Sequence, residues 1–242
     1  MSNDDDSLLA ERTFVWFWCA RVAAMIAHQM VAVAVGWQVY SLSGSALDLG
    51  LVGLAQFLPS FVLVLVVGQV ADRFDRRRVL QVCVSVEALA ALALGIASLT
   101  GTIGERIIFP AVIAIGAARA FQMPAMQALL PALVPRRLLS RAIAANSSAG
   151  QAAIIVGPAL GGVIYALGAD VVYLAGTALF LITAAGVQLI RLEHRPPALA
   201  KVDIDSVLAG VRYIWTRKAV LGAISLDLFA VLLGGATALL PI

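Results

Sequence analysis

The stretch "GQVADRFDRRRVL" (residues 68–80) puts four arginines and two aspartates into thirteen positions of a 242-residue chain that is 62% hydrophobic and only 13% charged. Charge at that density needs water, so the apolar sequence on either side of it decides the fold. A mean hydropathy of +0.97 is far above what a soluble domain needs for its core. Residues 49–71 run 23 positions without a charge, residues 142–169 run 28 and residues 171–190 run 20. Each is long enough to cross the ~30 Å hydrocarbon layer as a helix. Four more apolar runs hold one charge apiece: Arg21 in 13–47, Glu87 in 79–104, Arg119 in 107–135 and Asp227 in 219–242. The expected fold is all-α and polytopic in a lipid bilayer. Its spans are expected near 13–41, 47–71, 79–100, 107–129, 142–166, 171–190 and 219–242.

The tail, residues 1–12, is acidic and has neither the basic start nor the small-residue cleavage site of a signal peptide, so the first apolar run is expected to remain as a span. If spans alternate in direction, fourteen of the 17 Lys and Arg collect on one side and only Arg106 on the other, with Arg21 and Arg119 inside spans. The positive-inside rule then places the N-terminus, the 68–80 hairpin and the loop around Arg136, Arg137 and Arg141 in the cytoplasm of a cell whose inner (plasma) membrane holds the chain. The same asymmetry accounts for the net charge of +3 without invoking nucleic acid. A cytoplasmic central loop is expected over 191–218. Two prolines stop its first part. Val207, Leu208, Val211, Ile214 and Trp215 then recur at helical spacing beside Arg212, Arg217 and Lys218, the pattern of an amphipathic helix on the membrane face. In the first outer turn, Ser45 and Asp48 have the S-x-x-D spacing of a capping box; a ligand role for Asp48 is the other reading.

Inside the spans, Gly157 and Gly161 form a small-xxx-small pair around Pro158, which frees a backbone carbonyl, so the fifth span is expected to be packed and bent. Cys19 and Cys83 lie in apolar runs and read as buried thiols. A charge in hydrocarbon costs at least ~2.5 kcal/mol on insertion scales unless it has a partner or a wet cavity. Arg21, Glu87 and Asp227 lie roughly 10–13 Å in from the cytoplasmic ends of their spans, and Arg119 at similar depth, so two bases and two acids are placed to pair. For Arg119 the alternative is that Pro124 ends the helix early and the side chain snorkels to water; Arg21 too is shallow enough to snorkel. His28 and Gln29 are either interhelical hydrogen-bonding groups or cavity-lining contacts. H-E-x-x-H, a membrane serine motif, paired catalytic aspartates and G-x-x-x-x-G-K are all missing from the sequence. No enzymatic role, cofactor or metal is therefore expected, and protons carried by Glu87 and Asp227 become the expected energy source.

Residues 68–77 resemble the cytoplasmic loop signature G-x-x-x-D-R-x-G-R-R of the major facilitator superfamily: Gly68, Asp72, Arg73, Arg76 and Arg77 match it, and Asp75 stands at the second glycine. Arg119 with Gln122 is similar to the fourth-helix signature R-x-x-Q-G. Gly157, Pro158, Gly161 and Gly162 resemble the fifth-helix signature of the exporters, and the wording across the chain resembles the branch of enterobactin-type and macrolide-type exporters. The resemblance implies twelve helices in two halves, of which this chain would supply the first six, the central loop and the seventh, with the C-terminal half of the same transporter as its partner. It implies that Asp72 latches the cytoplasmic side and that Arg119 takes part in proton coupling. The expected function is proton-coupled efflux of a small-molecule substrate by alternating access. The alternatives are an importer or facilitator of the same superfamily, or a non-transporting scaffold if the chain ends at 242.

Overall fold

The computed structural model describes Leu8, residues 11–190 and the isolated positions Arg217, Leu221, Gly222, Ser225 and Leu226; side chains at 65, 69 and 71–73 are outside the description. The expected amphipathic helix of 191–218 and the seventh span with Asp227 thus lie outside the described residues, those isolated positions excepted.

The described chain is helical, with no strand among the described residues: α1 (Arg12–Ser43), α2 (Ala46–Val62), α3 (Val64–Arg73), α4 (Arg76–Leu99), α5 (Glu105–Leu133), α6 (Leu139–Tyr165) and α7 (Ala169–Leu189). One 3-10 turn, Arg136–Leu138, precedes α6. Five of these segments are long and apolar enough to cross a membrane, while α2 is a shorter apolar helix of 17 residues. The protein is a multi-pass membrane protein. Its helices suit that solvent because each satisfies its own backbone polar groups.

Two departures from the sequence expectation are informative. The second span is not one helix over 47–71. Its helical course is interrupted at Leu63 (φ −86°, ψ −2°), although the Leu63 N–H still donates to the Pro59 carbonyl and the Val67 N–H to the Leu63 carbonyl. Conversely, Pro124 does not end the fourth span. Helix α5 runs through Pro110, Pro124 and Pro131 to Leu133, because in a packed membrane helix the neighbours hold the helical course past the lost bonds.

Helix ends are closed locally. Gly44 ends α1 in the left-handed conformation (φ 64°) and its N–H donates to the Tyr40 carbonyl, a backbone state that a side chain would strain. Ser45 caps α2: its Oγ accepts from Asp48 N–H at 3.3 Å. The reciprocal arm of a capping box is replaced, since the Ser45 N–H donates to Ser43 Oγ at 3.2 Å.

Residues Met1–Pro197 form one compact unit. Within it α1 packs between α6 and α7, α4 between α5 and α7, and α2 against α5. The approach of α6 to α1 depends on two glycines. A Cβ at Gly157 would stand 2.5 Å from Gln29 Cβ, and one at Gly161 would stand 2.9 Å from Met30 Cα. Missing side chains let backbones meet where lipid supplies no hydrophobic drive for association. The interior holds two apolar clusters: one around Leu94, Ile108, Tyr173 and Phe180, the other around Phe17, Leu80, Leu129 and Leu138. Along α5, Gln122 falls between them. In the second unit, Ala198–Ile242, the Leu221 N–H donates to the Arg217 carbonyl at 3.0 Å.

Candidate functional site

A cavity of about 140 Å³ opens inside the first unit between α1, α5 and α6. Its α1 wall is Arg21, Ala24, Met25, His28 and Gln29, spaced on one helical face. Opposite, α5 presents Arg119, Gln122, Met123 and Met126, again at intervals of three and four, and α6 adds Ala153 and Ile154. The wall is chiefly apolar, with its polar groups concentrated on α1 and α5.

Behind that wall lies a buried polar triad drawn from three helices. Glu87 on α4 is completely buried and His28 is 6% exposed. Gln122 bridges them: its Nε2 donates to Glu87 Oε2 at 3.1 Å, and its Oε1 faces His28 Nε2 at 3.1 Å. His28 Nε2 also stands 3.2 Å from Glu87 Oε1, but Oε1 itself receives no hydrogen bond. With the Gln122 amide donating to Glu87, its oxygen is left to accept from a His28 Nε2–H. Phe180 of α7 meets the imidazole edge-on, with centroids 5.1 Å apart. His28 Nδ1 is buried without a partner.

Glu87 thus has a hydrogen-bond donor on one carboxylate oxygen and a ring nitrogen of His28 beside the other, the kind of partners a buried acid needs. The expected pairing of Glu87 with an arginine is not what the structure has: Glu87 takes His28 and Gln122 instead, because these two residues come level with it across α1 and α5; Asp227 lies outside the described residues. No carboxylate stands within 4.0 Å of Arg21 or Arg119 among the described residues. Both line the cavity, and the Nε of Arg21 is buried without a hydrogen-bond partner. His28 fulfils both readings offered for it, as an interhelical bond and as cavity wall, and Gln29 lines the cavity beneath Gly157.

The hairpin at 68–80 is tied to the helices around it. Asp75, at the position of the signature's second glycine, caps α4 by accepting the Arg77 N–H on Oδ1 at 2.8 Å, the ordinary work of an aspartate at a helix start. Arg76 Nη1 donates to the Ala128 carbonyl near the end of α5 at 2.8 Å. Arg77 Nε donates to the Val187 carbonyl at 3.1 Å and its Nη2 to Gln188. These α7 carbonyls lie in the last turn of the helix, where the dipole is negative; that of Val187 also accepts the Ile190 N–H at 3.3 Å. Arg77 thus does more than anchor the topology. Gly68 has open space where a Cβ would stand; the side chains of Asp72 and Arg73 lie outside the described residues.

On α6 the four fifth-helix residues divide. Gly157 and Gly161 pack on α1, Pro158 sits within the helix, and Gly162 faces open space. A second polar cluster escaped the sequence reading. Tyr173 OH donates to Gln38 Oε1 at 2.7 Å, and Gln38 Nε2 donates to Ser98 Oγ at 3.1 Å, joining α7, α1 and α4. Its only sequence signal is a glutamine in an apolar run. Among the described residues, no group of three His, Cys, Asp or Glu side chains is arranged to hold a metal.

A family described as transmembrane secretion effector matches residues 7–242. Macrolide efflux protein A of Streptococcus pyogenes is 25% identical over 229 residues, covering 92% of this chain and 54% of that protein. Multidrug efflux pump Tap of Mycobacterium tuberculosis is 30% identical over 229 residues, covering 86% of this chain and 53% of the pump. The staphyloferrin A transporter of Staphylococcus aureus is 25% identical over 153 residues, covering 63% of this chain and 38% of the transporter. The chain spans about half the length of the curated relatives it matches.

Proposed function

We propose, because this chain belongs to the transmembrane secretion effector family of the major facilitator superfamily, that it works in a secondary active transporter that exports small organic molecules in exchange for protons. The observation that carries the proposal is the Glu87–His28–Gln122 triad, a fully buried acid whose one bonded neighbour is itself a wall of the cavity. A proton gained or lost there changes the charge next to the bound molecule. That is the coupling an exchanger needs. When Glu87 is protonated it no longer draws the Gln122 amide strongly, and Gln122 and His28 are free to turn towards the cavity. When the carboxylate is restored they are pulled back.

The cavity described here is one side of a complete binding site. By likeness to the longer relatives, a second six-helix half supplies the opposite wall, and the two rock about the cavity. On this reading the 68–80 hairpin faces the cytoplasm of the inner membrane, as its arginines favour. Asp72 latches it, and Arg119 tunes the triad from one turn away. Asp227 is proposed as a second proton carrier.

The test is accumulation of chemically varied compounds in a pump-deficient bacterium carrying the full reading frame. Expression is expected to lower accumulation of at least one class, a protonophore to abolish that effect, and Glu87→Gln to remove it while the protein still reaches the membrane. Export by Glu87→Gln at the original level, still sensitive to the protonophore, would refute the role of the triad.

A further inference from the structure

Among the charged side chains lining the cavity, both are cations. Arg21 and Arg119 stand in its wall with no carboxylate within 4.0 Å among the described residues, and Glu87 is shut behind Gln122. The Nε of Arg21 is buried and lacks a hydrogen-bond partner. His28 on α1 and Gln122 on α5 meet, and these helices run in opposite directions. Arg21 lies seven residues to one side of that contact and Arg119 three residues to the other, so their backbones are separated by about 15 Å along the bundle. The backbones of the two arginines therefore stand on opposite sides of the polar centre. Between them Met25, Met123 and Ile154 provide adaptable apolar wall.

We infer that this cavity is an anion-selective subsite whose ligand is an amphipathic organic acid. Its carboxylate takes a guanidinium and its apolar body lies on the methionines. The inference rests on the transport reading above and supplies its substrate class. A guanidinium in a largely apolar wall keeps its charge, presents a planar fork of donors and matches a carboxylate with two parallel bonds. Two cations with no carboxylate beside them among the described residues repel a cationic ligand over the same distance at which they attract an anionic one. The discrimination is strongest where water is scarce. The missing bond at Arg21 Nε is the kind of vacancy that a ligand oxygen fills.

The chain, reconstituted in discs of zwitterionic phosphatidylcholine, is titrated by calorimetry with hexanoate and with hexylamine, which are small enough for the cavity, share an apolar chain and differ in the sign of the head. The acid is expected to bind about tenfold more tightly than the amine, as one charge-assisted bidentate contact allows. Arg21→Gln and Arg119→Gln are each expected to lower affinity for the acid about tenfold while binding of the amine stays level or rises. Arg→Lys at either position keeps part of the preference. Equal affinities or a preference for the amine overturn the inference, and this comparison of wild-type ligands holds even if a variant fails to fold. So does a loss shared equally by both probes in the variants. Abolition of the preference by phosphatidylglycerol would assign the subsite to a lipid headgroup. That outcome overturns the inference. The outcome is separable from that of export: anion binding without export defeats the transport reading alone, and export confined to cations defeats this inference alone.

Discussion

Two glycines one residue apart on α6 should respond in opposite ways to the same change. In Gly161→Ala the new methyl carbon would stand 2.9 Å from Met30 Cα and 3.2 Å from the Met30 carbonyl oxygen. Both are backbone atoms of α1, so no side chain can swing aside. Ordinary carbon–carbon contact begins near 3.5 Å, so α6 must retreat by about 0.6 Å. Overpacking of that kind costs about 1–3 kcal/mol. In Gly162→Ala the methyl meets nothing within 4 Å, and the helix gains up to about 1 kcal/mol from the better helix former. At about 2–4 °C per kcal/mol for a chain of this size, Gly161→Ala should lower the melting midpoint by roughly 2–12 °C. Gly162→Ala should leave it level or raise it by up to about 4 °C. Tryptophan fluorescence during a thermal ramp of purified protein in detergent reads both. Because Ala153 and Ile154 ride on the same helix and line the cavity, Gly161→Ala should also weaken ligand binding where Gly162→Ala does not. If the two variants shift the midpoint in the same direction by the same amount, the argument that α6 is held on α1 by backbone contact at Gly161 is wrong.

Three further outcomes are expected. Glu87→Leu alone should cost about 3 kcal/mol by stranding His28 and the Gln122 amide, and adding His28→Phe should recover part of it, a coupling that a double-mutant thermal-unfolding cycle measures. Arg77→Ala should loosen the end of α7 and raise hydrogen exchange in the segment leading to Ile190. Arg77→Lys should restore only part of the protection, since an ammonium does not span the Val187 and Gln188 carbonyls as a guanidinium does. A cysteine at Arg78, in a background without Cys19 and Cys83, should react with an impermeant maleimide in inverted vesicles and stay unlabelled in intact cells; labelling from outside would reverse the topology.

Much of the fold can be read without coordinates because lipid is a severe solvent. Unbroken apolar runs can only be helices, arginines collect where phosphate and water are found, and Ser45 caps α2 through a bond to its own neighbour three residues on. Gly157 and Gly161 likewise marked a close helix contact before the partner helix was known. Such features are local: each follows from a window of a few residues and the medium around it. Which residues of neighbouring helices come level with one another is not local, and that register gave Glu87 a histidine and a glutamine instead of an arginine. Membrane depth fixes position along one axis only; the angular order of helices around the bundle fixes the other two, and it emerges from packing. The same reason hid the bonds from Arg77 to α7, 110 residues away, and the Tyr173–Gln38–Ser98 cluster. The sequence by itself determined that this is a membrane bundle and which ends are charged. Only the tertiary structure decided which buried polar groups share a partner, because burial leaves each group the bonds that neighbouring helices bring within reach.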